Sequence, residues 1–580
     1  MTATPETTTG DASEVTLVAP DADKAAAHIE ASKLRKASLV QNIHRRTPDI
    51  TRRPWESLAI FVGFTGFYIW FGYWLVVKMH VVGFETLDRL NRALMIWHND
   101  PAKLSALGFD YPPLATLLVS PLAIFPAVTS SLIAVPIASA VFAGLTMLSL
   151  NTMMRRAQLL APLRYAALLA LGANPLFLLY ASGGARQFIW IAFVVVAMGG
   201  VLAWYITADV RFVMLSGLAF SIAALSGYGS LLWFVLTALM IGAILAKLGA
   251  DGSEVEGTTV GFAVPTAYVI ALWCVFNLIL LSKPFYWITG ASDAGGGDPT
   301  SFTGVELLQD TASLVLYGAP IAFVVLPALI FVGIARNNPL SLWLGVLLAA
   351  AIVSPALSVA LHLTDSPMQL RNALPILLFS VIGAIWIARS SESNNLIVSI
   401  ALVAALLVSI PWTFEAMKTY RFQNLESNFA AALSTRDSQE GATTLSGSTV
   451  GVRDEQATAE YITSNITNPN SILTDNAQTY GVMLMTGRPD LFVDRVDKSD
   501  GPWKEIAANP APYVDYMLLS TGGGGDLLAQ AYPNAADGSD PRLPVIYRTD
   551  RYVLVGVPAN FDPDGGSTLS TQTSTNGAGQ

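Results

Sequence analysis

Charge is scarce in this chain. Of its 580 residues 13% are charged, while 53% are hydrophobic; a soluble globular protein carries roughly 25% charged residues. A deficit of that size, sustained over that length, places most of the chain in lipid. Cysteine is nearly absent as well. Cys274 is the single one, which excludes an internal disulfide and any cysteine-built metal site. A chain with a sizeable outside domain and no disulfide suits a bacterial envelope better than a eukaryotic secretory route. No stripe of Lys and Arg interrupts the net charge of −9, so nucleic acid is not an expected partner. No cleavable signal pattern is visible either: residues 1–49 are polar and rich in Ala, Thr and Asp and read as a disordered cytoplasmic tail.

What the chain has in abundance is apolar runs. About 20 helical residues cross the hydrocarbon core, and runs near that length occupy 58–79, 129–151, 163–181, 187–206, 211–228, 230–248, 260–282, 312–335, 340–362, 372–389 and 394–412. Lys33, Arg35, Lys36, Arg45, Arg46, Arg52 and Arg53 precede the first run, which puts that end in the cytoplasm. Arg155, Arg156, Arg211, Lys247, Arg336 and Arg389 then also fall inside, a consistent alternation that leaves the C-terminus outside. The expected fold is a polytopic α-helical membrane protein of about eleven transmembrane helices, N-terminus in and C-terminus out, with a small extracytoplasmic α/β domain. The expected divisions are a tail over 1–56, a transmembrane domain over 57–412, a linker over 413–450, the α/β domain over 451–560 and a low-complexity tail over 561–580. Within the α/β domain, a helical pattern covers 455–466 and a second helix, capped by Asp475, covers 476–486. Strand patterns cover 471–474, 513–519, 544–547 and 552–557.

Two outside loops are long, 80–128 and 283–311, and long loops on one side of a membrane protein commonly build its site. In the first, Glu85, Asp88, Arg89 and Arg92 stand at i, i+3, i+4 and i+7, so a helix presents them on one face. A carboxylate there, just above the bilayer, has the character of a general base. The competing reading is a solvated amphipathic helix with internal Glu–Arg and Asp–Arg pairs. The stretch Tyr111-Pro112-Pro113-Leu114 and the semi-apolar run to Phe125 read either as an interfacial or re-entrant helix started by proline, or as the entry to a long tilted second span. Gly522–Gly525 is not followed by the Lys-Ser/Thr of a phosphate loop and reads as a turn.

The arrangement resembles the GT-C superfamily of membrane glycosyltransferases, in particular those of the actinobacterial cell envelope. The resemblance rests on the topology, the first loop with its acids, Tyr111-Pro112-Pro113-Leu114, the segment from Asn174-Pro175 to Gly183-Gly184, and Arg371-Asn372-Ala373-Leu374-Pro375 at the entry to a late span. It implies a hexosyl- or pentosyltransferase that takes a sugar from a polyprenyl-phosphate donor and passes it to a glycan or glycolipid at the outer face of the plasma membrane. It implies a loop acid, Asp88 or Glu85, as the base, with Asp88 slightly favoured. Donor phosphate needs cationic groups, for which Arg371, Arg186 and Lys283 are the candidates. Arg89, Arg92, Tyr111, His362 and Asp365 are assigned to the loop and acceptor side. Relatives often carry Gly-x-x-Glu where this chain has Gly184-Ala185-Arg186-Gln187, so an amide stands in place of an acid. A divalent cation held by carboxylates and phosphate is compatible with Asp293, Asp298, Glu306, Asp310, His362 and Asp365, but no run has ligand spacing and no metal residues are assigned. A transporter or flippase of lipid-linked sugars, and a non-catalytic scaffold of the same fold, are the alternatives.

Overall fold

The computed structural model describes residues 53–108, 112–288, 304–360, 368–391, 395–422, 425–443, 450–495, 501–521 and 525–563. Each apolar run falls in helix. The first span, Pro54–Gly72, continues as a wider turn over Tyr73–Lys78. Ala134–Arg156, Ala185–Thr207, Arg211–Ser226, Ser230–Lys247, Gly252–Leu281, Pro339–Ala360, Ala373–Ser390 and Asn395–Thr419 follow. Two runs are broken. Ala161–Gly172 and Pro175–Gly183 meet at 70°, and Gly304–Gly318 and Ala322–Ala335 at 98°. By length and apolarity eight described helices can cross a bilayer, or ten if each bent pair is one span. The count of about eleven is reached only by adding Arg211–Ser226, which at 16 residues is short for a crossing.

The first break has a local cause. Asn174 caps the second half by accepting hydrogen bonds from the Leu176 and Phe177 N–H groups, and Pro175 occupies the first helical position, where its missing N–H costs nothing. The Asn174 amide then donates to Ser409 and Thr413 of the last span, so the bend is fastened across the bundle. The stretch after Tyr111 forms its own helix, Pro113–Ala123, followed by the short Pro126–Ser130; it is not the entry to a long second span.

Burial sorts the helices. The central ones are Leu370–Ser390, 89% buried over its most apolar window, and Arg186–Thr207, 83% buried, whereas Gly252–Leu281 is only 11% buried and faces outward. The two arginines singled out in the sequence therefore stand at the heads of the two innermost helices.

The C-terminal domain is a five-stranded sheet, β1 (Ile472–Thr474), β2 (Phe492–Asp494), β3 (Tyr516–Ser520), β4 (Val545–Arg548) and β5 (Tyr552–Gly556), in the order β2-β1-β3-β5-β4. β1 runs parallel to β2 and β3, and β5 is antiparallel to β3 and β4. Helices Arg453–Asn465 and Asn476–Thr486 pack on it, the second capped by Asp475 as its sequence implies. The last membrane helix runs on to Thr419, and Glu426–Thr435 within the segment read as a linker is helical.

This domain sits on the first-loop helix, Phe84–His98. Asn91 donates to the Asn476 side-chain oxygen at 2.7 Å, and Asn99 to Asp494 at 3.2 Å. Met95 packs among Ile472, Val482, Met483, Leu491 and Phe492. The domain's own anchor is Asp475, fully buried, which accepts three hydrogen bonds of 2.8–2.9 Å from Arg495 and one of 2.7 Å from the Leu527 N–H. Asp475→Asn leaves the buried Arg495 uncompensated, at a cost of about 3–5 kcal/mol. The melting temperature of the C-terminal domain should fall by roughly 10–20 °C, read by calorimetry on the purified full chain.

Candidate functional site

Gly83 opens the Phe84–His98 helix in an extended conformation, and Glu85 and Asp88 lie one turn apart on it. Asp88 accepts from the Arg92 Nε through both oxygens, at 3.0 Å each, the internal pair expected of an i, i+4 neighbour. Glu85 does not follow that pattern. Its Oε1 takes the Arg371 Nη1 at 2.9 Å and its Oε2 the Arg186 Nη1 at 2.7 Å. One carboxylate thus bridges guanidiniums from two different helices. Partial burial acts to raise the Glu85 carboxyl, but the positive charges of Arg186 and Arg371 overcome it and hold the group well below the usual carboxylate range. The Glu85 side chain stays 43% exposed and Arg186 38%, against 17% for Arg371, so solvent reaches the acid more readily than the arginine deepest in the bundle.

Arg371 is backed by a second layer. The Leu370 N–H donates to the Phe422 carbonyl at 3.1 Å, and the Tyr420 hydroxyl to the Met368 carbonyl at 2.7 Å, which ties the approach to Arg371 to the chain leaving the last span. A few residues on, the fully buried Glu426 accepts from the Tyr180 hydroxyl at 2.7 Å. Tyr180 belongs to the Asn174–Gly184 segment. The charge of Glu426 lies close enough to act on Arg371.

Directly beyond the two arginines the helices part slightly. Trp190, Ile191, Val194 and Val195 of one helix and Pro375, Leu378, Phe379 and Ile382 of the other line a narrow slot between them. Trp190 is one turn past Arg186 and Pro375 one turn past Arg371. The slot is wholly apolar and the pair at its head wholly cationic.

Tyr480, on the Asn476–Thr486 helix, packs against the membrane core. Burial and the carboxylates of Asp88, Glu455 and Glu85 keep its phenol protonated, well above the ordinary value. It brings a hydroxyl from the C-terminal domain to the side of the loop helix that carries the acids.

Of the sequence candidates, the structure gathers Glu85, Arg186 and Arg371 at one point, with Asp88 and Arg92 a turn away. Arg89 is buried in the loop helix. Lys283 is exposed just past the end of Gly252–Leu281. Tyr111, His362, Asp365, Asp293 and Asp298 lie outside the described residues. Asp310 is engaged by Arg421 at 2.6 and 2.7 Å, and among the described residues no cluster of three or more His, Cys, Asp or Glu side chains is placed to hold a metal. Three residues escaped sequence reasoning. Tyr180 stood in a quoted segment without a role, Glu426 is a lone acid next to no motif, and nothing local marks Tyr480.

The overall fold of the chain has counterparts among solved structures. It is similar to ArnT from Cupriavidus metallidurans bound to undecaprenyl phosphate, with a TM-score of 0.52 and 15% identity, over 87% of this chain and 98% of that one. Weaker likenesses are to the apo oligosaccharyltransferase of Archaeoglobus fulgidus (TM-score 0.46, 11% identity, 81% of this chain and 71% of that one) and to the mycobacterial arabinofuranosyltransferase AftD (TM-score 0.42, 14% identity, 89% and 40%). No protein-family model and no curated protein sequence matches the chain.

A carboxyl with a lowered folded value contributes stability above its unfolded value, and that contribution is lost only as the pH falls through the folded one. The difference in melting temperature between the protein and its Glu85→Gln variant should therefore hold steady from pH 7 to about pH 5 and shrink only in more acid solution. A difference that vanishes near pH 5 would mean that the two arginines do not hold the group.

Proposed function

We propose that this chain is a GT-C-type glycosyltransferase that moves a sugar from a polyprenyl-phosphate donor to a glycan or glycolipid at the outer face of the plasma membrane. One observation carries the reading: two guanidiniums from the innermost helices stand at the head of an apolar slot. A lipid phosphate has the same polarity, an anion at the end of a hydrocarbon chain. The apolar lining runs from Pro375 to Ile382, roughly 10 Å along the helix at 1.5 Å per residue, and would have to open to take the donor's hydrocarbon chain.

Arg371 and Arg186 hold the donor phosphate through paired N–H donors. Charge develops on that phosphate as the glycosidic bond breaks, and fixed cations stabilise it there. The acceptor hydroxyl oxygen forms the new bond to the anomeric carbon while the carbon–phosphate-oxygen bond breaks. Its electron pair stays on the phosphate, and the acceptor proton passes to Asp88. A single base suffices for a direct displacement, which inverts the anomeric centre, whereas retaining glycosidases use two carboxyl groups. Asp88 fits this role better than Glu85 because it is one turn removed from the arginines, on the sugar side of the phosphate they would hold. Arg92 orients its carboxylate, and the oxygens keep lone pairs to spare. Tyr480 supplies a protonated hydroxyl alongside for the sugar or the acceptor.

A transporter would need polar groups along a path through the membrane. Residues 187–207 and 372–388 of the two central helices contain no Asp, Glu, Lys or Arg, which favours chemistry at one end over passage. In membranes or nanodiscs, Arg371→Ala should abolish binding of undecaprenyl phosphate together with transfer. Asp88→Asn should keep the binding and lower transfer about 10²–10⁴-fold, read as envelope glycan product. Unchanged product from both variants at normal protein level would leave a scaffold in place of an enzyme.

A further inference from the structure

We propose that Glu85 holds the place of the donor phosphate until the donor arrives, and that donor binding exchanges one anion for the other on the same two guanidiniums. This deepens the glycosyltransferase reading and rests on it.

The geometry of the acid is that of a stand-in. Each of its two oxygens takes one guanidinium, Oε1 from Arg371 and Oε2 from Arg186, as two oxygens of a phosphate would. Among the described residues its carboxylate has no other side-chain partner. Asp88, by contrast, is fastened to Arg92 of its own helix. Glu85 is also the partner free to leave. It projects from the first turn of the helix on a side chain that turns about three bonds, and it is the most exposed member of the trio. The backbone leading into Arg371 is held by the Leu370–Phe422 and Tyr420–Met368 bonds, so the deeper of the two cations keeps its place while the acid swings out.

The exchange confers selectivity. Two guanidiniums brought together without an anion repel each other, and any small anion in the medium would be drawn to them. With Glu85 already seated, an incoming anion must displace a tethered competitor. A phosphate that carries a hydrocarbon chain gains the burial of that chain against the apolar residues one turn past the arginines. Inorganic phosphate gains nothing comparable. The site thereby admits lipid phosphates and turns away the free ion.

The test measures the affinity of the full-length protein in nanodiscs for undecaprenyl phosphate, with inorganic phosphate as the second probe. Removing the competitor by Glu85→Gln should tighten undecaprenyl phosphate binding roughly 2- to 30-fold, the range for two partly exposed ion pairs, and should also raise the weak affinity for inorganic phosphate. Asp88→Asn removes the same charge one turn away without touching the arginines, and should shift the affinity by less than about twofold. Equal or weaker binding by Glu85→Gln, or an equal gain in both variants, overturns the exchange, even if loss of binding in Arg371→Ala upholds the donor site. Failure of the unsubstituted protein to bind undecaprenyl phosphate removes both. Should Glu85→Gln not be recovered folded, Glu85→Ser carries the same expectation.

Discussion

Two positive charges at the heads of adjacent helices repel unless an anion sits between them, and in this protein that constraint organises the site. Arg186 and Arg371 arrive there because their helices are the innermost of the bundle. Glu85, from a loop that is not part of the bundle, sits between them and offsets one of the two charges. The carboxylate therefore joins the first-loop helix to two spans distant in sequence, and the position of Asp88 one turn further along follows from it. Close packing supports the same spot. A side chain at Gly318 would run into Ala373, two residues past Arg371, and one at Gly383 into Leu329 and Val325, so small residues let neighbouring helices press against the one that carries Arg371.

The apolar helices were legible in the sequence because lipid imposes one requirement on every spanning segment, length with low polarity. The same rule was blind to breaks. Nothing in the hydropathy of 312–335 shows the bend of 98°. At Asn174-Pro175 a cap and a proline mark the break. The expected linker over 413–450 was harder: Glu426–Thr435 within it is a helix, and its first residue is buried against Tyr180.

The site was half legible. Helical spacing placed Glu85, Asp88, Arg89 and Arg92 on one face, and the Asp88–Arg92 pair obeys it. That spacing also suggested an internal partner for Glu85, whereas its actual partners lie about 100 and 286 positions away. Local periodicity carries no information about which distant cation comes within reach. Arg186 and Arg371 entered through short motifs at span ends, and the structure brings them together. Lys283, reached by the same reasoning, lies exposed beyond its helix. Tyr480 was out of reach altogether, because its place depends on how a separate domain seats itself. β2 was missed because Phe492–Asp494, three residues long, is too short a run to show a strand's alternation in sequence.

The seating of the C-terminal sheet on the Phe84–His98 helix has a consequence for how the molecule can be taken apart. Met95 and Asn91 are buried only because Ile472, Val482 and Asn476 cover them. Cutting the chain after its last crossing would bare an oily flank and an orphaned amide on the very rod that carries Glu85 and Asp88. The C-terminal portion is in this sense a splint for the helix on which the site is built.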